Sequence, residues 1–119
     1  MRRCNERTYR NLDVRVYRYN ASMTLADFDA AVAARRPLPA GAAPLLTALW
    51  HDAIGDWAGA HGAAQDIDSP DGAWVHAYLH RREGDISNAH YWYRRAGQTA
   101  ASGPLDDERR AIVAALLSR

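Results

Sequence analysis

Lysine is missing altogether: all fifteen basic residues of this 119-residue chain are arginine. Alanine is abundant, and the two together read first as a compositional bias of the source, with no function attached. Cysteine is nearly missing too. The single Cys4 has no partner for an internal disulfide and none at metal-ligand spacing, which excludes a disulfide scaffold and points to a reducing, cytoplasmic setting. No apolar run reaches the ~18–20 residues of a membrane span, and no continuous apolar segment follows the basic N-terminal residues, so neither membrane insertion nor a secretory signal is expected. A glycine-rich phosphate loop, a dinucleotide fingerprint and a serine-nucleophile elbow are also absent, and with them the most legible nucleotide-binding and hydrolytic enzymes. No cofactor is called for.

What remains is enough for one domain that needs no covalent staple. The net charge of +1 hides an asymmetry. Residues 1–22 carry six arginines against Glu6 and Asp13, a balance of +4, whereas residues 23–119 carry nine against twelve acids, a balance of −3. The division expected is a basic N-terminal extension, 1–22, ahead of a single domain, 23–119. A short basic run can meet nucleic-acid phosphates; nothing else in the chain supports that partner, and association with the acidic body of a second copy serves as well. Within the extension, Leu12 to Tyr19 alternates in part as a strand does, with no second strand to pair with.

From Thr24 onward the periodicity is helical. Thr24 and Asp27 form a capping-box pattern, and Leu25, Phe28 and Val32 define a first helix over 24–36, ended by the proline-rich run to Gly41. Pro44 suits the first turn of a second helix, with Leu45, Leu46, Leu49, Trp50 and Ile54 on its apolar face. Asp56 caps a third, from Trp57 to about Gln65, in which Ala60 and Ala64 let a neighbour approach closely. Ser69-Pro70 opens a fourth, 70–83, which Gly84 ends. Asp85 or Ser87 caps a fifth with Ile86, Ala89, Trp92, Tyr93 and Ala96 at spacings of three and four. After Gly97, the acids Asp106, Asp107 and Glu108 favour the start of a last helix whose apolar face is Leu105, Ile112, Val113, Leu116 and Leu117. The expected fold is all-α: about six helices, with short connections that make sequential neighbours antiparallel hairpins.

Gly55-Asp56 and Gly84-Asp85 stand 29 residues apart, and at that offset His51 falls on His80, Ala60 on Ala89 and His61 on His90. A repeat of this size is the sign of stacked helix pairs. The run GDISNAHYWYRRA resembles the turn and second helix of a tetratricopeptide repeat, with Gly-Asp at the turn, Ala89 as the small contact residue, Tyr93 as the aromatic and Ala96 after it. In the preceding helix Ala77 fills the small-residue position, whereas Ala73, His76 and His80 depart from the tryptophan, leucine and tyrosine of the family, and the period is shorter than its 34. The longer string WVHAYLHRREGDxxNAxYWYRRAG also resembles the signature of a group of bacterial proteins, from which no activity carries over. The resemblance implies a short tetratricopeptide-like array that acts as a non-catalytic interaction or scaffold module for a protein or peptide. It also implies a concave face on the fourth helix that displays Trp74, Tyr78, Arg81 and Arg82 as a cradle for a peptide or carboxylate. The alternative for the same residues is that the aromatics are core and the arginines a solvated face.

A second functional reading rests on histidine. His76, His80 and Glu83 lie at i, i+4 and i+7 on one helical face, a donor set able to hold zinc in a metal-binding protein or metal-dependent hydrolase, with room for a histidine of the preceding hairpin. The helix lacks the carboxylate directly after the first histidine that metalloprotease helices carry. His51-Asp52 invites comparison with phosphohydrolases that use such a pair, but their remaining ligands find no match. Asp85, Asn88 and Glu83 have a structural explanation as caps and turn bonds, with Glu83 pairing Arg82 or Arg94 across the hairpin. A homodimer would cover whatever aromatic surface the four Trp and six Tyr leave exposed. The residues that do not recur at the offset are Trp74, His76, Tyr78, Arg81, Glu83, Asn88 and Trp92, and a specific site is expected among them.

Overall fold

A computed structural model describes residues 23–119; the expectations for the extension, 1–22, and for a strand at Leu12 to Tyr19 lie outside the described residues. Among the described residues there are six helices and no strand: α1 (Leu25–Ala33), α2 (Pro44–Ala53), α3 (Trp57–Ala64), α4 (Pro70–Glu83), α5 (Ile86–Ala96) and α6 (Leu105–Leu117). The all-α expectation and the helix count therefore hold. None of these helices is long and apolar enough to cross a membrane.

Four of the six helices, α1, α3, α4 and α5, begin where a side chain accepts from their orphan N–H groups, whereas α2 and α6 begin without a side-chain cap. Thr24 Oγ1 accepts from Asp27 N at 3.1 Å and Asp27 Oδ2 accepts from Thr24 N at 3.0 Å, closing the capping box of α1. Asp56 accepts from Gly59 N at 2.9 Å, and Ser69 Oγ from Gly72 N at 3.0 Å. Asp85, rather than Ser87, caps α5. Helix α1 stops at Ala33, three residues before the expected 36, because Arg35 takes a left-handed φ of 51° that no helix continues through.

α2 with α3, and α4 with α5, pack as the two most extensive pairs, each an antiparallel hairpin with one turn geometry. Gly55 and Gly84 have φ of 88° and 90°, and the following caps, Asp56 and Asp85, have ψ of 78° and 77°. In both turns the Asp N–H donates to a histidine carbonyl five residues earlier, His51 at 2.8 Å and His80 at 2.9 Å. The 29-residue offset seen in the sequence is thus an offset between two superposable turns. A left-handed residue is what each turn needs, and glycine takes that conformation without the strain a Cβ brings.

The core lies where both hairpins meet α1 and α6. Leu49, Val75, Tyr78, Leu79, Ile112 and Val113 are wholly buried there, with Phe28 of α1 beside them. Ala60 and Ala64 of α3 and Ala77 and Ala89 within the second hairpin are equally buried, as the small-residue reading required. Gly72 is held to glycine for a different reason: a Cβ there would run into the Ile67 carbonyl of the α3–α4 loop.

Substitution of the turn glycines isolates the backbone term. Around Gly84 nothing lies within 4 Å of an added Cβ, so Gly84→Ala reports the left-handed strain alone and lowers stability by about 1 kcal/mol. Gly62, on the open face of α3, has the same free space and helical backbone, so Gly62→Ala raises stability by roughly 0.5–1 kcal/mol. Urea unfolding followed by circular dichroism checks both signs.

Candidate functional site

Three of the four residues expected to form a cradle face another helix instead. Tyr78 has no exposed surface, and its hydroxyl donates to Asp52 Oδ2 at 2.5 Å. Arg82 donates to the same hydroxyl from Nε at 3.0 Å and from Nη2 at 2.8 Å, reaches Asp106 Oδ1 at 3.1 Å, and brings Nε to 2.9 Å from Asp52 Oδ1. Arg109 of α6 completes the group, 3.5 Å from Asp52 Oδ2 and 3.1 Å from Asp106 Oδ1. Arg81 donates to Glu108 Oε1 at 2.9 Å and to the Gly103 carbonyl, and Tyr93 donates to Glu108 Oε2 at 2.6 Å. These are two ionic locks that seat α6 on the hairpins. The fourth residue, Trp74, is half-buried at a recess of about 270 Å³ lined also by Gln98, Asp107 and Glu108.

Burial keeps the tyrosine of each lock protonated to higher pH. Burial first, then the bond to Asp52, raises Tyr78 above the ordinary tyrosine value; burial and then Glu108 do the same to Tyr93. A carboxylate in such surroundings must be paired, and Asp52, with 1% of its side chain exposed, is met by a hydroxyl and two guanidinium groups.

The histidines gather on the opposite side of α4. His76 and His80 lie one turn apart with near-parallel rings, 17° and 6.1 Å between centroids. His61 of α3 stands edge-on to both, at 5.2 Å from His76 and 5.9 Å from His80. Trp92 of α5 stacks on His76 at 4.4 Å, and the Arg95 guanidinium lies over Trp92 at 5.3 Å. Trp57 stacks on His61 at 4.9 Å, and its indole N–H donates to the Leu79 carbonyl at 3.0 Å. His76 is 5% exposed, and its Nδ1 has no hydrogen-bond partner. Burial above all, then the neighbouring His61 and His80, holds His76 below the ordinary histidine value, so its ring is neutral at pH 7.

Glu83 does not pair with Arg82 or Arg94 as expected of it; Arg82 is taken by Asp52 and Asp106, and Glu83 Oε1 stands 3.8 Å from His80 Nδ1. Asp85 Oδ2 is 4.0 Å from the same nitrogen, as Asp56 Oδ2 is 3.1 Å from His51 Nδ1 in the first hairpin. Among the described residues, His80, Glu83 and Asp85 have ligand atoms within 4.8 Å of one another. Asn88 bonds to the Asp85 side chain at 3.3 Å and not to backbone.

A cavity of about 390 Å³ opens where the loop after α3 meets α4 and α5, lined by Asp66, Asp68, Ala73, His76, Trp92 and Arg95 among others. Its size falls in the range of ligand pockets. It combines an aromatic edge, a buried imidazole, a guanidinium and two carboxylates.

Asp52, Glu108 and His61 were read in other roles, as half of a His-Asp pair, as a helix-start acid and as a repeat position, and Arg109 was not singled out. The signal for two of them was present. Leu45, Leu49 and Asp52 lie at i, i+4 and i+7, and Leu105, Glu108 and Ile112 at i, i+3 and i+7, so each acid occupies an apolar face where only a paired carboxylate can sit. Comparison with known protein families, curated proteins and solved structures finds no match.

Removing the Tyr78 hydroxyl leaves Asp52 short of its best donor, so Tyr78→Phe costs about 1–3 kcal/mol, read from chemical denaturation. Because both tyrosines are raised in the folded state, the folded chain holds their protons longer than the unfolded chain. Their contribution is complete below the ordinary tyrosine value of 10.0 and is lost as pH climbs above it. Stability measured between pH 8 and pH 11 falls on the alkaline side, and the Tyr78→Phe, Tyr93→Phe double variant shows a shallower fall.

Proposed function

We propose that this chain is a non-catalytic, tetratricopeptide-like helical module of the bacterial cytoplasm that holds a segment of a partner protein or peptide. The observation that carries the reading is the 390 Å³ cavity at the junction of the two hairpins, with Trp92, His76 and Arg95 on one side and Asp66 and Asp68 on the other. An aromatic anchor flanked by charges of both signs suits a peptide, whose backbone and side chains offer matching donors, acceptors and apolar surface. The arginines and tyrosine first assigned to the binding face, Arg81, Arg82 and Tyr78, serve this reading indirectly, by seating α6 and so fixing the hairpins that frame the cavity.

The duplicated turn supports the same reading. Its Gly, Asp and His residues are used to set the angle of each hairpin, which is the work of a scaffold. α5 also presents two large apolar side chains to solvent, Ile86 at 52% and Tyr91 at 43%, surface for a partner to cover.

Selection of a displayed library of linear peptides on the folded protein tests the reading. A common motif emerges, and its affinity, measured by fluorescence anisotropy, falls about 10-fold or more in Trp92→Ala while Arg110→Ala, on α6, leaves it unchanged. If no motif is enriched, or both variants lose binding equally, the module has no peptide site at this cavity.

A further inference from the structure

We propose that His61, His76 and His80 together bind one divalent late first-row transition ion, with zinc as the probe, at the seam between the two hairpins. Imidazole nitrogen is the donor these ions share, and three such donors leave a fourth position open. The inference is independent of partner binding.

The repeat separates what the architecture needs from what it does not. At the 29-residue offset His80 corresponds to His51 and His61 to His90, so a histidine at either position belongs to the hairpin plan. His76 corresponds to Thr47, because 76 − 29 = 47, and so is additional to that plan. It is nevertheless buried at 5% exposure, with a ring nitrogen that has no hydrogen-bond partner. Burying an imidazole in this way is unfavourable unless something satisfies it. The other two histidines that face it are the only titratable side chains whose rings stack on or abut it among the described residues, and both are potential ligands.

Ring placement agrees with coordination. An ion about 2.0–2.1 Å from one nitrogen of each ring, in tetrahedral geometry, sets the ring centroids about 5 Å apart. The observed separations are 5.2, 5.9 and 6.1 Å, somewhat wider, so the site requires the three side chains to turn inward when the ion binds. Histidines at i and i+4 on one helix are a natural chelating pair, and α3 supplies the third ring from across the seam. Trp57 holds that ring by stacking and is itself tied to the Leu79 carbonyl of α4.

Carboxylates stand close to the opposite nitrogen of His80, within reach once it carries a proton. His80 Nδ1 faces Glu83 Oε1 at 3.8 Å and Asp85 Oδ2 at 4.0 Å. Once Nε2 carries the ion, Nδ1 bears the proton and donates toward these carboxylates. The Gly72 backbone, one turn earlier, lies beside the His76 ring without a hydrogen bond to Nδ1. His76 also lines the cavity of about 390 Å³, which gives the ion and its water a route to the rings.

His80, Glu83 and Asp85 form the competing set, already within 4.8 Å of one another. The first hairpin argues against it as the site. Its His51–Asp56 contact, 3.1 Å, places the corresponding pair together without any third group, so Asp85, 4.0 Å from His80, has an architectural reason to face it. Glu83 and Asp85 are accordingly assigned as acceptors that orient His80, and His61 and His76 as ligands.

Titration of zinc into chelator-treated, tag-free full-length protein tests the assignment. Competition with a chromogenic chelator gives one zinc per chain, and thermal unfolding shifts upward with added zinc. His61→Ala removes a ligand from the half-buried edge of the cluster and weakens zinc about 10-fold or more, with circular dichroism confirming the fold. Long-range ¹⁵N–¹H spectra of the wild-type protein provide a reading that no variant can confound: zinc moves the Nε2 resonances of His61, His76 and His80 together. Less than one equivalent of zinc, or unchanged affinity in His61→Ala, or shifts confined to His80, would overturn the three-histidine site, and the last would assign the ion to His80, Glu83 and Asp85.

Discussion

A carboxylate with almost no access to water governs how this protein is put together. Asp52 sits on the buried face of α2, and taking a charge out of solvent is unfavourable by several kcal/mol unless partners surround it. Its partners come from elsewhere: Tyr78 and Arg82 from α4 and Arg109 from α6. Surrounding one side chain with partners therefore places three helices. Apolar groups of the same volume could supply as much stability, but a hydroxyl and two guanidinium forks accept only a narrow range of geometries. The lock fixes orientation where the small apolar contacts around it would permit sliding.

The two hairpins show how a duplicated unit acquires individuality. Turn conformation, cap and the facing of histidine and aspartate are common to both copies. The copies differ at the surfaces that meet, where the second adds His76 and Trp92 and the first presents His61. The seam is therefore built from one inherited histidine on each side and one that only the second copy has. Tyr93 follows the same logic in another direction: the position that resembles the aromatic of a tetratricopeptide repeat also carries a hydroxyl that reaches Glu108.

Helix ends were legible because their causes are local. Thr24, Asp56, Ser69 and Gly84 act on backbone groups within four residues, so a linear reading sees both partners. The cradle of Trp74, Tyr78, Arg81 and Arg82 was legible as a face and illegible as to what covers it, since aromatics and arginines at helical spacing suit solvent, ligand or another helix alike. The covering element proved to be α6, whose acids serve two purposes: Asp106 and Asp107 stand at the exposed start of the helix, as the dipole argument required, whereas Glu108 turns inward. His61 was hidden by its own repeat partner, because matching it to His90 gave it an architectural explanation and drew attention from its neighbours across the seam.

The ion pairs that fasten the periphery differ from the central lock in one physical respect. Arg110 to Asp29, 2.6 Å, and Arg119 to Asp71, 2.8 Å, join exposed groups, whereas Asp52 is shielded by protein on every side. Mobile counter-ions reach the former and not the latter, since screening at physiological ionic strength acts over about 8 Å of water and little through a packed interior. Rising salt therefore weakens the contacts of Arg110 with α1 and of Arg119 with the start of α4 while the grip of Arg109 on Asp52 persists, and the last helix behaves as a bar pinned near its start with a far end that responds to the ionic medium.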